Sequence, residues 1–288
     1  MKYYIRNLRS YVGVIVSLNI MIIRAVLSRR SFDSGLYLFR RNIHRIEKGL
    51  NNREIRIPFA QQYAEKTYQF YCQNSTNLNS GDLSWANKVL RHYSDLHKMN
   101  WMLEEVVQIK QDKYELVDSE FLRLQKSRIS VRNYKRSSID INSAIHRAAY
   151  NATLIPSSCN RQSYNILVPK NDVQRDFLYS NSIGLTNFTG TQNTEIVAFV
   201  FDLESVNHPR DVAVPIIDVA NAGLSFSYAL TEMGLASCYL NWPFRKNEDS
   251  QSRWIFNMKP TEKILFCMVV GESDGHKEAL SGKKMLEL

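Results

Sequence analysis

Apolar residues recur along most of the chain at one of two spacings. Spacings of three and four residues predict helices at residues 58–76, 80–110, 115–127, 140–154, 171–179, 211–233 and 248–256. Short runs rich in β-branched and aromatic residues predict strands at residues 164–169, 195–201, 236–240 and 263–271. The N-terminal part of the chain is therefore predicted to be helical, and the strands are confined to the remainder.

The longest predicted helix, residues 211–233, is apolar nearly all round. Small residues such as Ala222 and Gly223 are interleaved with large apolar ones. A helix that is apolar on every side is buried, and small residues let a second helix approach closely. We expect this helix to be central and to lie at a subunit interface, with Pro215 in its first turn and Gly234 as its cap.

The net charge of +9 is concentrated at one end of the chain. Residues 1–56 hold 12 Lys and Arg and three acidic residues, whereas residues 57–288 hold 25 residues of each sign. Clustered positive charge favours an anionic partner, such as a lipid surface, a nucleic acid or a phosphorylated substrate. The alternative is a solvated basic face with no partner. Because the basic residues do not form the pattern of an RNA-binding module, we do not expect nucleic-acid binding.

Within residues 1–30, basic residues flank an apolar run at residues 12–23. The run is shorter than the roughly 20 residues that a transmembrane helix needs, and no cleavage site of a signal peptide follows it. Two interpretations stay open: a helix on an anionic membrane surface, or a helix packed on the protein's own core or on a dimer partner. The cysteines form no zinc or disulfide motif, so we expect a cytoplasmic protein, with or without attachment to the inner face of the membrane.

A basic helical segment is predicted to end near residue 49. Gly49 follows a basic turn, as a helix C-cap does. His44, Glu47 and Lys48 fall on one face of the helix. These three side chains are either a surface charge cluster or a small ionic site.

The clearest chemistry lies in two motifs between residues 127 and 162. Arg128, Ser130 and Arg132 occupy alternate positions, so in an extended backbone their side chains point the same way. Two guanidinium groups flanking a hydroxyl make an anion clamp, because arginine donates in a planar fork that suits phosphate. The sequence therefore predicts an anion site here.

The second motif, residues 156–162, reads Pro-Ser-Ser-Cys-Asn-Arg-Gln and predicts a loop rich in hydrogen-bonding side chains. A helix of about 15 residues separates the two motifs and can fold them into one neighbourhood. Cys159 has no histidine nearby in the sequence, so we expect a packed thiol rather than a nucleophile. We identify no catalytic side chain and no metal site.

In order and spacing, these motifs resemble those of the nitroreductase family of FMN-dependent oxidoreductases, over residues 120–288. The resemblance implies an α+β fold, in which a mainly antiparallel sheet of about four or five strands is flanked by helices. Residues 1–119 would then be a helical extension. It also implies a homodimer with FMN as cofactor, NAD(P)H as hydride donor and an unidentified small-molecule acceptor, in a ping-pong cycle.

Carried over position by position, the resemblance implies a set of cofactor-binding residues. The residues that match the family's phosphate and ribityl contacts are Arg128, Ser130 and Arg132. The residues that match the loop reaching the flavin of the opposite subunit are Pro156, Ser157, Ser158, Asn160 and Gln162. The remaining candidates are an amide partner, two residues beside the flavin ring and a late basic residue for the phosphate, namely Asn187, Leu240, Asn241, and Lys283 or Lys284.

The sequence departs from the family pattern in places. Ile129 stands where arginine or histidine is frequent, and Ser163 replaces a common proline. The short connection between residues 202 and 211 leaves little room for a lid. The basic extension resembles segments that precede nitroreductase-like domains in bacterial proteins linked to surface polysaccharide synthesis. The alternative function is therefore a membrane-associated accessory protein of surface-polysaccharide biosynthesis, with a specialised or vestigial flavin site.

Overall fold

The structure, a computed structural model, describes Val12 and residues 32–103, 118–157, 160–206, 211–243, 245–276 and 278. Residues 32–103 belong to one compact unit, the helical unit, and residues 118–276 belong to another, the sheet unit. Apart from Val12, the expectations for residues 1–30 lie outside the described residues. Within the described residues, no helix is long and apolar enough to cross a bilayer.

Residues 32–103 form the helices α1 (Phe32–Leu50), α2 (Gln61–Asn74) and α3 (Ser80–His97), with a 3-10 turn at Ser75–Asn77. Large side chains such as Phe39 on α1 and Tyr93 on α3 share one buried core. A buried ion pair joins α1 to the start of α3, where Arg40 Nε donates to Asp82 Oδ1 at 2.8 Å. This unit is therefore helical, as the sequence predicts.

Two sequence expectations are wrong in the helical unit. The helix predicted to run to residue 110 ends at His97, because Lys98 takes a left-handed conformation (φ 54°) and its amide bonds back to the last turn. Gly49 is not a C-cap, since α1 continues through it to Leu50. The glycine is required by packing instead: a Cβ there would lie 2.2 Å from Cε2 of Phe59.

The sheet unit alternates helices with strands. Its helices are α4 (Glu120–Ser127), α5 (Ile141–Ala152), α6 (Asp172–Asn181), α7 (Val214–Glu232) and α8 (Lys246–Phe256). Its strands are β1 (Tyr134–Lys135), β2 (Tyr164–Leu167), β3 (Glu195–Asp202), β4 (Ala236–Asn241) and β5 (Glu262–Ser273). Short 3-10 turns lie at Thr191–Asn193 and Leu203–Ser205. The elements predicted for this part of the chain are confirmed to within a few residues, and β1 is an addition.

All strand pairs of this sheet are antiparallel, and β5 lies at the centre. Strand β5 pairs with β3 on one edge and β4 on the other, so that Val197 and Tyr239 both lie opposite Met268. Strand β2 pairs with β3, and the short β1 pairs with the end of β5. The predicted α+β fold with a mainly antiparallel sheet is therefore confirmed.

Helices cover both faces of the sheet. On one face, α5 and α7 pack against side chains such as Phe199 and Met268. On the other face, Leu178 of α6 packs with Val200 and Cys267. Successive residues of a strand point to opposite faces, so both sets of strand positions are buried. This explains why β3 is apolar almost without interruption.

Helix α7 is only partly buried in a single chain. Phe226 and Leu230 are completely buried, but Ile217 is 56% exposed and Leu224 is 44% exposed. Ile217 and Leu224 are seven residues apart, so they lie on the same side of the helix. The prediction of a helix buried on every side is therefore wrong for one chain, because the sheet and α5 cover only part of its surface.

Candidate functional site

The clamp residues Arg128, Ser130 and Arg132 follow the end of α4. Ile129 and Val131, which alternate with them, pack in the core on the α6 face of the sheet. The three clamp side chains are half-buried, and alternation along an extended segment puts them on the opposite side of the backbone. Two guanidinium groups therefore flank a hydroxyl along the chain.

Backbone hydrogen bonds fix residues 128–134, the clamp segment, between the start of β4 and the loop of residues 183–190. Val131 N donates to Ser237 O at 3.2 Å, which ties the segment to the start of β4. Thr189 N donates to Arg132 O at 3.0 Å, and Tyr134 N donates to Thr189 O at 3.1 Å. The clamp therefore belongs to the scaffold of the sheet, where its geometry is held by main-chain bonds.

The loop of residues 183–190 approaches the clamp segment closely at Gly190. A Cβ at Gly190 would lie 1.9 Å from Tyr134 O, and the glycine has φ 71°. Asn187 in the same loop has φ 79° and an exposed side chain. Asparagine tolerates this left-handed conformation better than most residues. The structure thus brings the loop that carries Asn187 against the clamp segment.

The other end of this loop meets the end of β4. Ile183 N donates to Asn241 O at 2.8 Å, and Asn241 N donates to Ile183 O at 3.2 Å. Asn241 is exposed, whereas Leu240 is 2% exposed and its side chain lies in the core. Of these two candidates, only Asn241 offers a side chain to a ligand, and Leu240 offers its main chain. We call Arg128, Ser130, Arg132, Asn187 and Asn241 the clamp cluster.

Tyr239 is a titratable neighbour of the clamp cluster that the sequence did not indicate. Burial raises the pKa of Tyr239 to about 12, while a hydrogen bond with Ser227 and the charge of Arg128 act in the opposite direction. The hydroxyl lies close to α7, since a Cβ at Gly223 would be 3.0 Å from it. A tyrosine is protonated at neutral pH even without this shift, so no phenolate compensates the positive charge of Arg128.

The loop of residues 156–162 is tied internally. Gln162 N donates to Ser157 Oγ at 2.7 Å, and Gln162 Nε2 donates to Asn160 Oδ1 at 2.8 Å. Asn160 and Gln162 both take left-handed backbone conformations, with φ 53° and 50°. Together with Pro156, these two residues are exposed. The described residues of the loop therefore present side chains to the surface, while hydrogen bonds among Ser157, Asn160 and Gln162 hold them in place.

The clamp and this loop lie at opposite ends of the sheet. The loop leads into β2, where Tyr164 pairs with Phe201 near the end of β3. The clamp segment is bonded to Ser237, which pairs with Val270, and Val270 pairs with Glu195 at the start of β3. The eight residues of β3 separate these ends by roughly 23 Å.

The expectation that the intervening helix folds both motifs into one neighbourhood is therefore wrong within one chain. Helix α5 has 12 residues, so it is about 18 Å long. Because it runs between the two motifs, it separates them rather than joining them.

The structure adds residues to the loop that the sequence had not singled out. Asp218 Oδ2 accepts hydrogen bonds from the hydroxyls of Ser157 and Ser163, both at 2.9 Å. Arg161 Nη2 lies 3.0 Å from Asp211 Oδ2. The signal available in the sequence was a carboxylate within an otherwise apolar helix, because a buried charge needs partners.

Some candidates cannot be placed. Ser158, Lys283 and Lys284 lie outside the described residues. Among the residues that are described, no group of three or more His, Cys, Asp or Glu side chains is arranged to hold a metal ion.

Comparisons with known proteins give structural likeness only. The sequence matches no family model, and no curated protein matches it. A protein of Parabacteroides distasonis ATCC 8503, named as an NADH dehydrogenase/NAD(P)H nitroreductase, is 16% identical, with 59% of this chain and 95% of the other covered and a TM-score of 0.48. An FMN-dependent nitroreductase of Clostridium difficile R20291 is 21% identical, with 55% of this chain and 91% of the other covered and a TM-score of 0.45. A nitroreductase family protein of Streptococcus pneumoniae TIGR4 is 17% identical, with 58% of this chain and 96% of the other covered and a TM-score of 0.46. Nitroreductase family proteins are therefore what this chain is similar to, over a little more than half of its length.

Proposed function

We propose that this protein is an FMN-dependent oxidoreductase that works as a homodimer. It takes hydride from NAD(P)H and passes it to a small-molecule acceptor in a ping-pong cycle. The observation that carries the proposal is the clamp cluster, in which two guanidinium groups, a hydroxyl and two amide side chains are positioned around one loop and one strand.

The donors of the clamp cluster fit FMN. Guanidinium groups and a hydroxyl suit its phosphate, and Arg128, Ser130 and Arg132 supply them on one side of the clamp segment. Arg132 Nη1 also donates to Ser130 O at 3.2 Å, which keeps this cation beside the serine. The exposed amides of Asn187 and Asn241 are suited to hydroxyl groups such as those of the ribityl chain. The flavin, when bound, supplies the hydride chemistry, and these residues bind and orient it.

A second copy of the chain is needed if the loop of residues 156–162 contributes to the same site. The loop lies roughly 23 Å along β3 from the clamp, beyond the reach of its side chains. Helix α7 offers a surface for the second copy, since Ile217 and Leu224 expose apolar side chains on one side. We therefore place the subunit interface on α7, where burial of these side chains favours association.

A binding experiment tests the proposed function. The purified full chain is titrated with FMN while the quenching of flavin fluorescence is followed. NADH or NADPH is then added without oxygen, and the loss of oxidised-flavin absorbance is recorded. We expect FMN to bind and to be reduced.

Riboflavin, which lacks the phosphate, is the matched ligand control. We expect it to bind at least about tenfold more weakly, because it makes no charge-assisted bonds with the clamp. Absence of FMN binding would contradict the proposed function. Equal binding of FMN and riboflavin would contradict the role of the clamp.

Attachment of residues 1–30 to an anionic membrane stays a prediction, because all but Val12 of this segment lie outside the described residues. Its motivation is the excess of basic residues at this end of the chain. Flotation with anionic and neutral vesicles tests it. Deletion of residues 1–30 should abolish flotation with anionic vesicles, and unchanged flotation would contradict the prediction.

A further inference from the structure

A buried carboxylate lies beneath the loop of residues 156–162. Asp218 is 2% exposed and belongs to α7. One of its oxygens, Oδ2, accepts hydrogen bonds from both Ser157 Oγ and Ser163 Oγ at 2.9 Å. Because the two serines lie at opposite sides of Asn160 in the chain, a single carboxylate oxygen joins the two arms of the loop.

The hydroxyl of Ser157 is fully engaged as a donor in this arrangement. A hydroxyl has one proton to donate and two lone pairs that accept. Ser157 gives its proton to Asp218 and accepts a hydrogen bond from Gln162 N at 2.7 Å. It therefore has no proton left for a ligand, and its part in the site is to shape the loop.

The loop conformation is one that needs such support. Asn160 and Gln162 both have positive φ, at 53° and 50°. Asparagine tolerates this conformation, but glutamine holds it only where the surroundings impose it. Asn160 N also donates to Ser157 O at 3.0 Å, so Ser157 bonds to both residues, to Asn160 through its main chain and to Gln162 through its side chain. Asp218 thus fixes Ser157, and through it Asn160 and Gln162.

A second contact connects the loop with the segment before α7. Arg161 Nη2 lies 3.0 Å from Asp211 Oδ2, and both side chains are about four-fifths buried. The loop thus bonds to two acidic residues, Asp211 just before α7 and Asp218 within α7. Burial strengthens such charge-assisted bonds, since water does not compete for the donors.

We infer that Asp218 is a positioning residue that holds Ser157, Ser163 and, through Ser157, Asn160 and Gln162 in place before any ligand binds. That the ordered loop serves flavin binding rests on the proposed function, whereas the ordering of the loop by Asp218 does not. If the loop closes on a cofactor held by the partner subunit, its order lowers the entropic cost of binding. Asp218 then connects the helix of the proposed interface with the loop that crosses it.

Hydrogen–deuterium exchange of the full chain without flavin tests the inference. The variants are Asp218→Ala, Ser163→Ala and the conservative Asp218→Asn, which keeps one acceptor oxygen. The matched control is Ser252→Ala, because Ser252 is also 2% exposed and its hydroxyl donates to Asp249 O at 3.0 Å within α8, away from the loop in the chain. Exchange is measured by mass spectrometry on the peptide of residues 155–163.

We expect Asp218→Ala and Ser163→Ala to speed exchange in this peptide about tenfold or more, as loss of a hydrogen bond to a charged group implies. Asp218→Asn should restore most of the protection, and Ser252→Ala should leave it at the wild-type level. Loop exchange in Asp218→Ala equal to that of the control would overturn the inference. Should Asp218→Ala fail to fold, Ser163→Ala carries the same test, with the same result against it.

A separate measurement of FMN affinity distinguishes this inference from the proposed function. If the wild-type chain binds FMN, Asp218→Ala should weaken binding about tenfold at unchanged dimer mass, and Asp218→Asn should recover it. If the wild-type chain does not bind FMN, the proposed function fails, and the exchange result decides the inference by itself.

Discussion

Arg128 and Arg132, one on each side of Ser130 in the chain, supply the positive charge of the clamp cluster. We predict that replacement of either arginine by glutamine weakens FMN binding about tenfold to a hundredfold, because a charge-assisted bond to the phosphate is lost. Fluorescence titration at low ionic strength measures the change. Arg123→Gln is the control, since Arg123 is 66% exposed on α4, close to the clamp in the chain. An affinity for FMN that none of these substitutions changes would contradict the assignment.

Gly190 sets the distance between the loop of residues 183–190 and the clamp segment. We predict that Gly190→Ala destabilises the protein by more than about 3 kcal/mol, because a Cβ would lie 1.9 Å from Tyr134 O in a left-handed conformation. Gly275→Ala is the control: Gly275 has φ 83° but no atom within 4 Å of a built Cβ, so only about 1 kcal/mol is expected. Urea unfolding compares the two variants. Equal losses would show that backbone strain, rather than the close approach, decides the cost.

For individual residues, the sequence predicted which residue types form the site better than which residues they contact. The alternation of Arg128, Ser130 and Arg132 is a local property of an extended segment, so it could be predicted. The bonds from Asp218 to Ser157 and Ser163 span more than 50 positions of the chain, and no local pattern indicates them. Leu240 shows the same limit, since its position in the chain suggested a ligand contact while the alternation of β4 buries it.

Among the elements, the short β1 is tied to β5 by strand pairing and by one carboxylate, which also binds the residues that follow β1. Glu272 accepts hydrogen bonds from Lys135 Nζ at 2.8 Å, Ser138 N at 3.1 Å and Ser137 Oγ at 3.0 Å. These bonds, that of Lys135 first, lower the pKa of Glu272 from 4.5 to about 2. A carboxylate with a lowered pKa stabilises the fold above its unfolded-state pKa and loses this contribution as the pH falls toward the folded-state value.

We therefore predict that Glu272→Gln lowers the melting temperature at neutral pH. The difference from the wild type should stay constant down to about pH 4.5 and shrink steadily below it. Thermal unfolding of both proteins between neutral pH and about pH 3 provides the measurement. A difference that does not depend on pH would show that the charge of Glu272 does not hold β1 in place.

The exposed side of α7 predicts where two chains meet. We expect Leu224→Glu to weaken dimerisation at least about a hundredfold, because it places an unpaired charge in an apolar interface. Light scattering after size-exclusion chromatography measures the mass. Val173→Glu is the control, since Val173 is 66% exposed on α6, on the other face of the sheet. If Leu224→Glu keeps the mass of a dimer, or if the wild type is a monomer, the interface is placed wrongly.

Most elements could be predicted because their signals are local. The apolar period of α5 and the β-branched run of β3 determine both elements within a few residues. The end of α3 could not be predicted, since the apolar spacing continues past His97 and only the left-handed conformation of Lys98 stops the helix. The exposure of one side of α7 could not be predicted either. Its apolar composition does not distinguish a side that is buried by the same chain from a side that is exposed to a partner.

For the whole molecule, the decisive feature is that the clamp residues Arg128, Ser130 and Arg132 and the loop of residues 156–162 lie at opposite ends of one sheet. The sequence placed them close because only one helix separates them. The strand register across β2, β3, β5 and β4 shows instead that the two motifs lie far apart. A cofactor site built from both motifs therefore requires two chains, each giving its clamp to one site and its loop to the other.

Mixed dimers test this claim most directly. One chain carries Arg128→Ala with Arg132→Ala, and the other carries Ser157→Ala, Asn160→Ala and Gln162→Ala; two affinity tags isolate the mixed dimer, and bound FMN is counted per dimer. A site shared between subunits leaves one of the two sites intact, so we expect one FMN in the mixed dimer and little in either variant homodimer. Absence of FMN from the mixed dimer, when the wild-type dimer binds it, would contradict a site shared between two chains.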